Sequence, residues 1–139
     1  MADAASVKSD ANPSDILRHT GQMVWIPFSD GISVKVLRTS PETGVWTVMF
    51  KCAKDSSFAP HLHHGAGEYL ILKGAMDYRA GIARTGDYGY EPLGVYHEKT
   101  TFPEETELWF SNHGPIAFLN PDRSIKMLVD WKFFADIQK

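Results

Sequence analysis

Cysteine is nearly absent from this chain, because Cys52 is the single cysteine among 139 residues. One cysteine cannot form a disulfide within the chain, which excludes a disulfide-rich secreted scaffold and favours a reducing, cytoplasmic location. The sequence also lacks a hydrophobic run of membrane-spanning length and an N-terminal basic stretch followed by an apolar one. We therefore expect neither a membrane protein nor a secreted one.

Basic residues are neither abundant nor clustered. The chain has 14 Lys and Arg against 17 Asp and Glu, for a net charge of −3. A protein that binds nucleic acid or an anionic membrane needs a concentrated positive surface, so neither is an expected partner. The 43% of hydrophobic and 22% of charged residues are typical of a globular protein, and this length suits one domain.

Short strand-like segments separated by turn residues fill the chain from Met23 onward. Ile32–Leu37 and Val45–Cys52 alternate apolar and polar residues, and Pro27 predicts that the first strand lies at a sheet edge. Turn residues recur about every 8 to 12 positions, which is typical of a β-sandwich or barrel. The pattern predicts an all-β fold in a single domain.

The two ends of the chain differ from this β pattern. Residues 1–13 are small and polar, so we expect a flexible N-terminal arm followed by a folded domain over residues 14–139. Ser14–Arg18 can begin a short helical turn. Residues 131–137 contain three aromatic side chains and predict a segment that docks on the core, either as a strand end or as a short helix.

Histidines stand two residues apart at His61 and His63. In a β-strand such residues point to the same face, roughly 6.5–7 Å apart along the strand. Two imidazoles at this separation can converge on one metal ion, each at about 2.0–2.1 Å. A third histidine must come from another strand, and His97 follows a turn-rich segment that suits this purpose.

These residues fall within two patterns that resemble the sequence motifs of the cupin superfamily. The first motif of that family reads G-x5-H-x-H-x3,4-E-x6-G, and the second reads G-x5-P-x-G-x2-H-x3-N. The chain matches them at His61, His63, Glu68 and Gly74, and then at Gly86, Pro92, Gly94 and His97. The resemblance implies a jelly-roll β-barrel (a double-stranded β-helix) with a metal site inside.

The departures from the motifs concern the fourth ligand. Asp55 stands where the first motif begins with Gly, Thr101 replaces the closing Asn, and five residues rather than six separate Glu68 from Gly74. Removing one residue from an extended segment reverses which face the following side chains occupy. His61, His63 and His97 are the predicted metal ligands, while Glu68 is either a fourth ligand or a hydrogen-bonding neighbour.

A narrower resemblance is carried by residues 59–74, by Met76–Arg79 and by the Gly-Asp-Tyr segment before the second motif. These stretches resemble small single-domain cupins related to acetylacetone dioxygenase and 2,4'-dihydroxyacetophenone dioxygenase. That family implies a non-haem Fe(II) enzyme with three histidine ligands, which uses O2 to cleave a carbon–carbon bond beside a carbonyl. It also places a glutamate six residues before the third histidine, where this chain has Glu91.

The predicted substrate is a small carbonyl compound, a β-diketone or hydroxyketone that binds as its enolate. Three neutral imidazoles leave a divalent metal with its full charge, which favours an anionic bidentate substrate. Fe(II) is the expected metal, although Zn or Ni can occupy such nitrogen sites in a purified sample. We expect Glu91 to act as a catalytic residue that orients a ligand or water and helps to remove the substrate proton.

Two other functions fit the same motifs. One is a cupin metalloenzyme with different chemistry, such as an isomerase, a decarboxylase or a thiol dioxygenase, in which Glu68 would matter as a ligand. The other is a metal- or ligand-sensing module resembling the cupin half of ChrR-type anti-sigma factors. In each case exposed strand edges need cover, so we expect a homodimer or homotetramer.

Overall fold

The computed structural model describes residues 15–139, so the predicted arm over residues 1–13 lies outside the described residues. The described part forms fourteen β-strands, one short α-helix, α1 (Trp131–Ile137), and a 3₁₀ turn at Thr20–Gln22. The strands in chain order are β1 (Ile26–Ser29), β2 (Ile32–Thr39), β3 (Trp46–Cys52), β4 (Ser57–Phe58), β5 (His61–His63), β6 (Gly67–Lys73), β7 (Ala75–Tyr78), β8 (Gly81–Arg84), β9 (Tyr88–Glu91), β10 (Tyr96–His97), β11 (Thr100–Thr101), β12 (Thr106–Asn112), β13 (Ile116–Leu119) and β14 (Ile125–Val129). The predicted all-β fold is therefore confirmed.

The strands form three antiparallel sheets. The largest has six strands in the order β1-β2-β3-β12-β6-β9, and the other two have the orders β10-β5-β13-β14 and β4-β11-β7-β8. Neighbouring strands in these sheets are often far apart in sequence, as β3 and β12 are, which is the pattern of a jelly roll rather than of consecutive hairpins. Pro27 lies in β1 at the edge of the six-stranded sheet, as its missing N–H predicts.

Strict alternation explains why the central strands bury one face. In β3, Trp46, Val48, Phe50 and Cys52 are buried while the residues between them are half-buried. Leu108 and Phe110 of β12 add to the same core, which joins residues from all three sheets. Burial of these apolar faces stabilises the fold by roughly 25 cal/mol per Å² of surface removed from water.

The C-terminal segment is a helix, which decides between the two predicted structures. Asp130 caps it, because its carboxylate accepts a hydrogen bond from the Phe133 N–H at 2.9 Å. Phe134 is fully buried and packs on Trp46 with ring centroids 4.6 Å apart. The prediction that this segment docks on the core is confirmed, and Phe134 provides the contact.

The predicted helical turn over residues 14–18 is wrong in its described part. Residues 15–19 form no regular element, and the 3₁₀ turn begins at Thr20 instead. Ser14 lies outside the described residues. The only α-helix of residues 15–139 is too short to cross a membrane, and the predicted cytoplasmic location stays a prediction.

Strand pairing brings the two histidine motifs together. β5 pairs with β10 in antiparallel register, with His97 directly opposite His61. Gly94, in the turn before β10, has a φ of +87°, a conformation that glycine adopts without strain. β9 pairs with β6 and ends at Glu91, so this carboxylate arrives at the same place from the six-stranded sheet.

Candidate metal centre

Three buried histidines form a nearly equilateral triangle inside the barrel. The ring centroids of His61, His63 and His97 are 5.1 Å apart in every pair. One nitrogen from each ring lies within 4.8 Å of the others, a spacing at which the three could hold one metal ion. The structure thus brings together the three histidines that the motifs predict as ligands.

Hydrogen bonds and stacking orient the three rings differently. His61 Nδ1 lies 2.7 Å from the Ala59 carbonyl, so the Nδ1–H donates a hydrogen bond to this oxygen and Nε2 keeps a free lone pair. His63 Nδ1 lies 3.4 Å from Asn112 Nδ2. The His97 ring stacks on Tyr78, with the centroids 5.4 Å apart and the planes at 17°. Each ring is therefore supported by a contact outside the triangle.

Burial keeps two of these imidazoles neutral at physiological pH. Desolvation lowers the pKa of His61 to about 4, against a partly opposing hydrogen bond to the Ala59 carbonyl. Desolvation also lowers the pKa of His97. A neutral imidazole offers the lone pair that a metal needs, so the electrostatics of the pocket suit coordination.

Two nitrogen atoms at the centre are buried and lack a hydrogen-bond partner. Among residues 15–139, neither His63 Nε2 nor His97 Nδ1 makes a hydrogen bond. Buried polar atoms without partners are uncommon in proteins, and a bound cation would satisfy them. The donor set, the burial and these free nitrogens all fit a divalent transition metal.

Glu91 lies beside the triangle with its side chain buried. Its Oε1 is 3.1 Å from His63 Nε2, without hydrogen-bond geometry, and its Oε2 is 3.8 Å from His97 Nδ1. The carboxylate therefore lies within reach of a molecule bound at the centre. The predicted position of Glu91 next to the metal site agrees with this geometry.

The structure does not bring Glu68 to the histidines. In β6 it alternates with the buried residues Gly67 and Tyr69, so its side chain lies on the outer face of the sheet. Its carboxylate accepts a hydrogen bond from the Tyr88 hydroxyl at 2.9 Å and lies 4.0 Å from His113. Glu68 thus has surface partners, and the group that could hold a metal consists of three histidines.

An apolar cavity adjoins the centre. Its polar lining consists mainly of His61, Glu91, Tyr69 and Thr100, while five phenylalanine side chains provide much of the rest. These are Phe28, Phe50, Phe58, Phe110 and Phe118. Small-molecule sites commonly combine apolar walls with a few polar groups that fix orientation.

Sequence reasoning missed Asn112 as a site residue. It is fully buried at the end of β12, on the same face as Leu108 and Phe110, and contacts His63. The sequence did contain one sign of this role: an amide at an inward position of an otherwise apolar strand face. A buried amide requires a polar partner, so its position predicts a polar contact inside the barrel. The partner itself lies on another sheet and could not be read from local sequence.

A buried triangle of histidines in an antiparallel jelly roll is typical of a cupin metalloprotein. The family model of the ChrR Cupin-like domain matches residues 13–117, so the chain belongs to this cupin family. The predicted cupin jelly roll is thereby confirmed.

Two kinds of relative are close enough to extend this identification. The acetylacetone-cleaving enzyme of Acinetobacter johnsonii is 40% identical over 111 residues, which cover 75% of this chain and 72% of that enzyme. The crystal structure of an acetylacetone dioxygenase from Acinetobacter johnsonii is similar with a TM-score of 0.79 and 33% identity, over 94% of this chain and 93% of that one. A candidate acetylacetone dioxygenase of Methylibium petroleiphilum gives a TM-score of 0.85 and 37% identity, over 91% of this chain and 96% of that one. The homology confirms the predicted resemblance and the prediction of a cupin enzyme of the dioxygenase type.

Proposed function

We propose that this chain is a non-haem Fe(II) dioxygenase that cleaves a carbon–carbon bond of a β-diketone or hydroxyketone bound as its enolate. The observation that carries the proposal is the buried triangle of His61, His63 and His97 beside an apolar cavity. The homology to an acetylacetone-cleaving enzyme supports the substrate class. The reacting partners would be the small carbonyl compound and O2.

The three histidines would hold the metal, and Glu68 would not take part. Neutral imidazole nitrogens are good ligands for Fe(II), but they also suit Zn and Ni, so the donor set alone does not select the metal. Iron is proposed because it would supply the redox chemistry by which O2 reacts with an electron-rich enolate. The absence of a carboxylate among the three proposed ligands leaves a net positive centre that attracts an anionic substrate.

The apolar lining of the cavity favours a largely apolar substrate. Phe58 and Phe118 both contact the His61 ring, with centroids 6.4 Å and 5.3 Å from it. A diketone bound through its two oxygens would place its alkyl groups against such rings, which exclude water from the reacting carbon. His61 would thus be both a metal ligand and part of the substrate wall.

Glu91 would serve as the proton acceptor. A β-diketone must lose the proton between its carbonyl groups to become the enolate, and a positioned carboxylate can accept it. Glu91 is buried and lies within 4 Å of nitrogens of both His63 and His97. Cleavage would then place both oxygen atoms of O2 in the two carbonyl or carboxyl products.

Oxygen consumption provides the test of this function. Metal-free protein would be reconstituted anaerobically with Fe(II) and mixed with a panel of β-diketones and aromatic hydroxyketones. The proposal expects O2 uptake that requires both iron and one substrate class, with one O2 consumed per substrate cleaved. Absence of uptake across the panel, with iron shown to be bound, would contradict the proposal and favour an isomerase or decarboxylase.

A homodimer or homotetramer is part of the proposal. β9 lies at an edge of the six-stranded sheet, and Tyr88 and Tyr90 on it are each 60% exposed. Leu70 of the neighbouring strand β6 adds exposed apolar surface on this side. Association through an exposed apolar edge would remove it from water. Light scattering at micromolar concentration tests this, and a monomer would contradict it.

A further inference from the structure

We propose that Asn112 is a positioning residue: its side-chain oxygen accepts a hydrogen bond from the Nδ1–H of His63 and thereby presents Nε2 to the metal. Asn112 lies at the end of β12 and is fully buried, and its Nδ2 is 3.4 Å from His63 Nδ1. The inference rests on the proposed metal centre and adds to it a residue that lies outside the triangle. It assigns a role to a buried amide that neither motif includes.

The position of the proton on His63 depends on which of its ring nitrogens binds the metal. A neutral imidazole carries one proton, and when one ring nitrogen binds a metal the proton must be on the other. His63 Nε2 faces the centre and is free of hydrogen bonds within residues 15–139, so it is the nitrogen available to a metal. The proton then belongs on Nδ1, where a buried N–H requires an acceptor.

Asn112 is placed to provide that acceptor. In the orientation shown, Nδ2 faces His63 Nδ1, and Oδ1 has no hydrogen-bond partner in the described part of the chain. A proton on Nδ1 would face the hydrogens of Nδ2, which is a contact between two donors. A half-turn of the carboxamide exchanges the two atoms and brings Oδ1 to the position beside Nδ1. Metal binding at Nε2 and an oxygen facing Nδ1 therefore favour each other.

The surrounding strand leaves space for this amide. Gly67 of β6 lies directly opposite Asn112, and a Cβ at Gly67 would lie 3.1 Å from Asn112 Nδ2 and 2.9 Å from the Phe110 ring. A side chain at position 67 would thus press on the carboxamide and on Phe110. The contact between Asn112 and His63 also links two sheets, since Asn112 belongs to the six-stranded sheet and His63 to β5 of another. Glu91 belongs to the six-stranded sheet as well, so the amide can fix the His63 ring relative to Glu91.

Metal affinity of matched variants tests the inference. Asn112→Leu removes donor and acceptor at similar volume, whereas Asn112→Asp keeps an acceptor oxygen at the same place. Loss of such an outer partner typically lowers metal affinity about 10- to 100-fold. We expect a loss of this size in Asn112→Leu, recovery in Asn112→Asp, and no change in Ser111→Ala, whose hydroxyl instead bonds Thr47 at 2.9 Å. Affinity for Zn(II) and Fe(II) would be measured by chelator competition.

Nitrogen-15 NMR of the Zn(II)-loaded wild type shows directly which ring nitrogen of His63 carries the proton. This measurement remains possible even if the Asn112 variants do not fold. We expect His63 to carry its proton on Nδ1 and this proton to be protected from exchange with water. Ligation through Nδ1, or a rapidly exchanging Nδ1 proton, would overturn it. Wild-type affinity in a folded Asn112→Leu would overturn the role of Asn112 alone, whereas a wild type that binds no metal would overturn the metal centre as well.

Discussion

Glu91 Oε1 lies 3.1 Å from His63 Nε2 without making a hydrogen bond to it. The nitrogen therefore keeps its lone pair for another partner, while a carboxylate stands next to the same point. Glu91 is not one of the three proposed ligands, yet it is as buried as they are. In the proposed function, the three imidazoles would bind the metal and the neighbouring carboxylate would accept the substrate proton.

Replacing His97 with alanine should abolish metal binding. Two remaining imidazoles on one short strand leave the ion without the third nitrogen that β10 contributes. The measurement is metal content per chain after reconstitution and desalting, with His64→Ala as the control because His64 is exposed and lies outside the triangle. A His97→Ala protein that keeps one metal per chain would rule out the assigned site.

Replacing Glu91 with glutamine should lower kcat and leave the metal in place. Glutamine keeps the shape of the side chain but cannot accept the substrate proton, and loss of a general base typically lowers the rate about 10²- to 10⁴-fold. Steady-state O2 consumption and metal content would be measured on the same preparations.

The matched control for that variant is Glu68→Gln. Glu68 lies on the outer face and bonds Tyr88, so both its metal content and its activity should equal those of the wild type. A large loss of metal affinity in Glu68→Gln would instead support a four-ligand cupin with non-oxidative chemistry. Unchanged kcat in Glu91→Gln would remove Glu91 from the mechanism.

Replacing Gly89 with alanine should destabilise the fold near the site. An added Cβ would collide with the ring of Tyr69, which is buried and bonds the Tyr78 hydroxyl at 2.7 Å. Overpacking of this kind costs about 1–3 kcal/mol of unfolding free energy. Urea unfolding should show this loss, whereas Gly21→Ala should remain within about 0.5 kcal/mol, because no other described atom lies within 4 Å of its added Cβ. Equal stability of the two variants would contradict the packing around Tyr69.

Acid should destabilise the metal-free protein between about pH 6.5 and pH 4. The pKa of His61 is about 4 in the folded chain against 6.5 as its ordinary value, so in this range the unfolded state binds a proton that the folded state does not. The contribution is fully present above pH 6.5 and is lost as pH falls, at up to about 1.4 kcal/mol per pH unit. His97 acts in the same direction, because burial lowers its pKa as well.

Urea unfolding of metal-free wild type and of His61→Gln at several pH values would isolate this contribution. Carboxylates titrate in both proteins, so the difference between their slopes belongs to His61. The variant should lose less free energy of unfolding between pH 6.5 and pH 4 than the wild type does. Parallel slopes would show that His61 is not buried in its neutral form.

Much of the fold followed from local pattern, and the rest depended on contacts that no local pattern encodes. Alternation predicted β2 to within two residues and β3 to within one residue of their observed bounds, because a strand with one buried face repeats every two residues. The helical turn was misplaced and α1 remained one of two alternatives. Short terminal segments have little periodicity of their own. Here the packing of Phe134 into the aromatic core stabilises the helix.

By itself, the sequence determined the candidate metal ligands: the His-x-His pair and the G-x5-P-x-G-x2-H pattern single out His61, His63 and His97. Only the tertiary structure decided that Glu68 lies outside the cluster and that Asn112 lies against His63. The reason is geometric, since spacing along a strand defines which side chains share a face, whereas contacts between sheets depend on register and packing across the whole barrel.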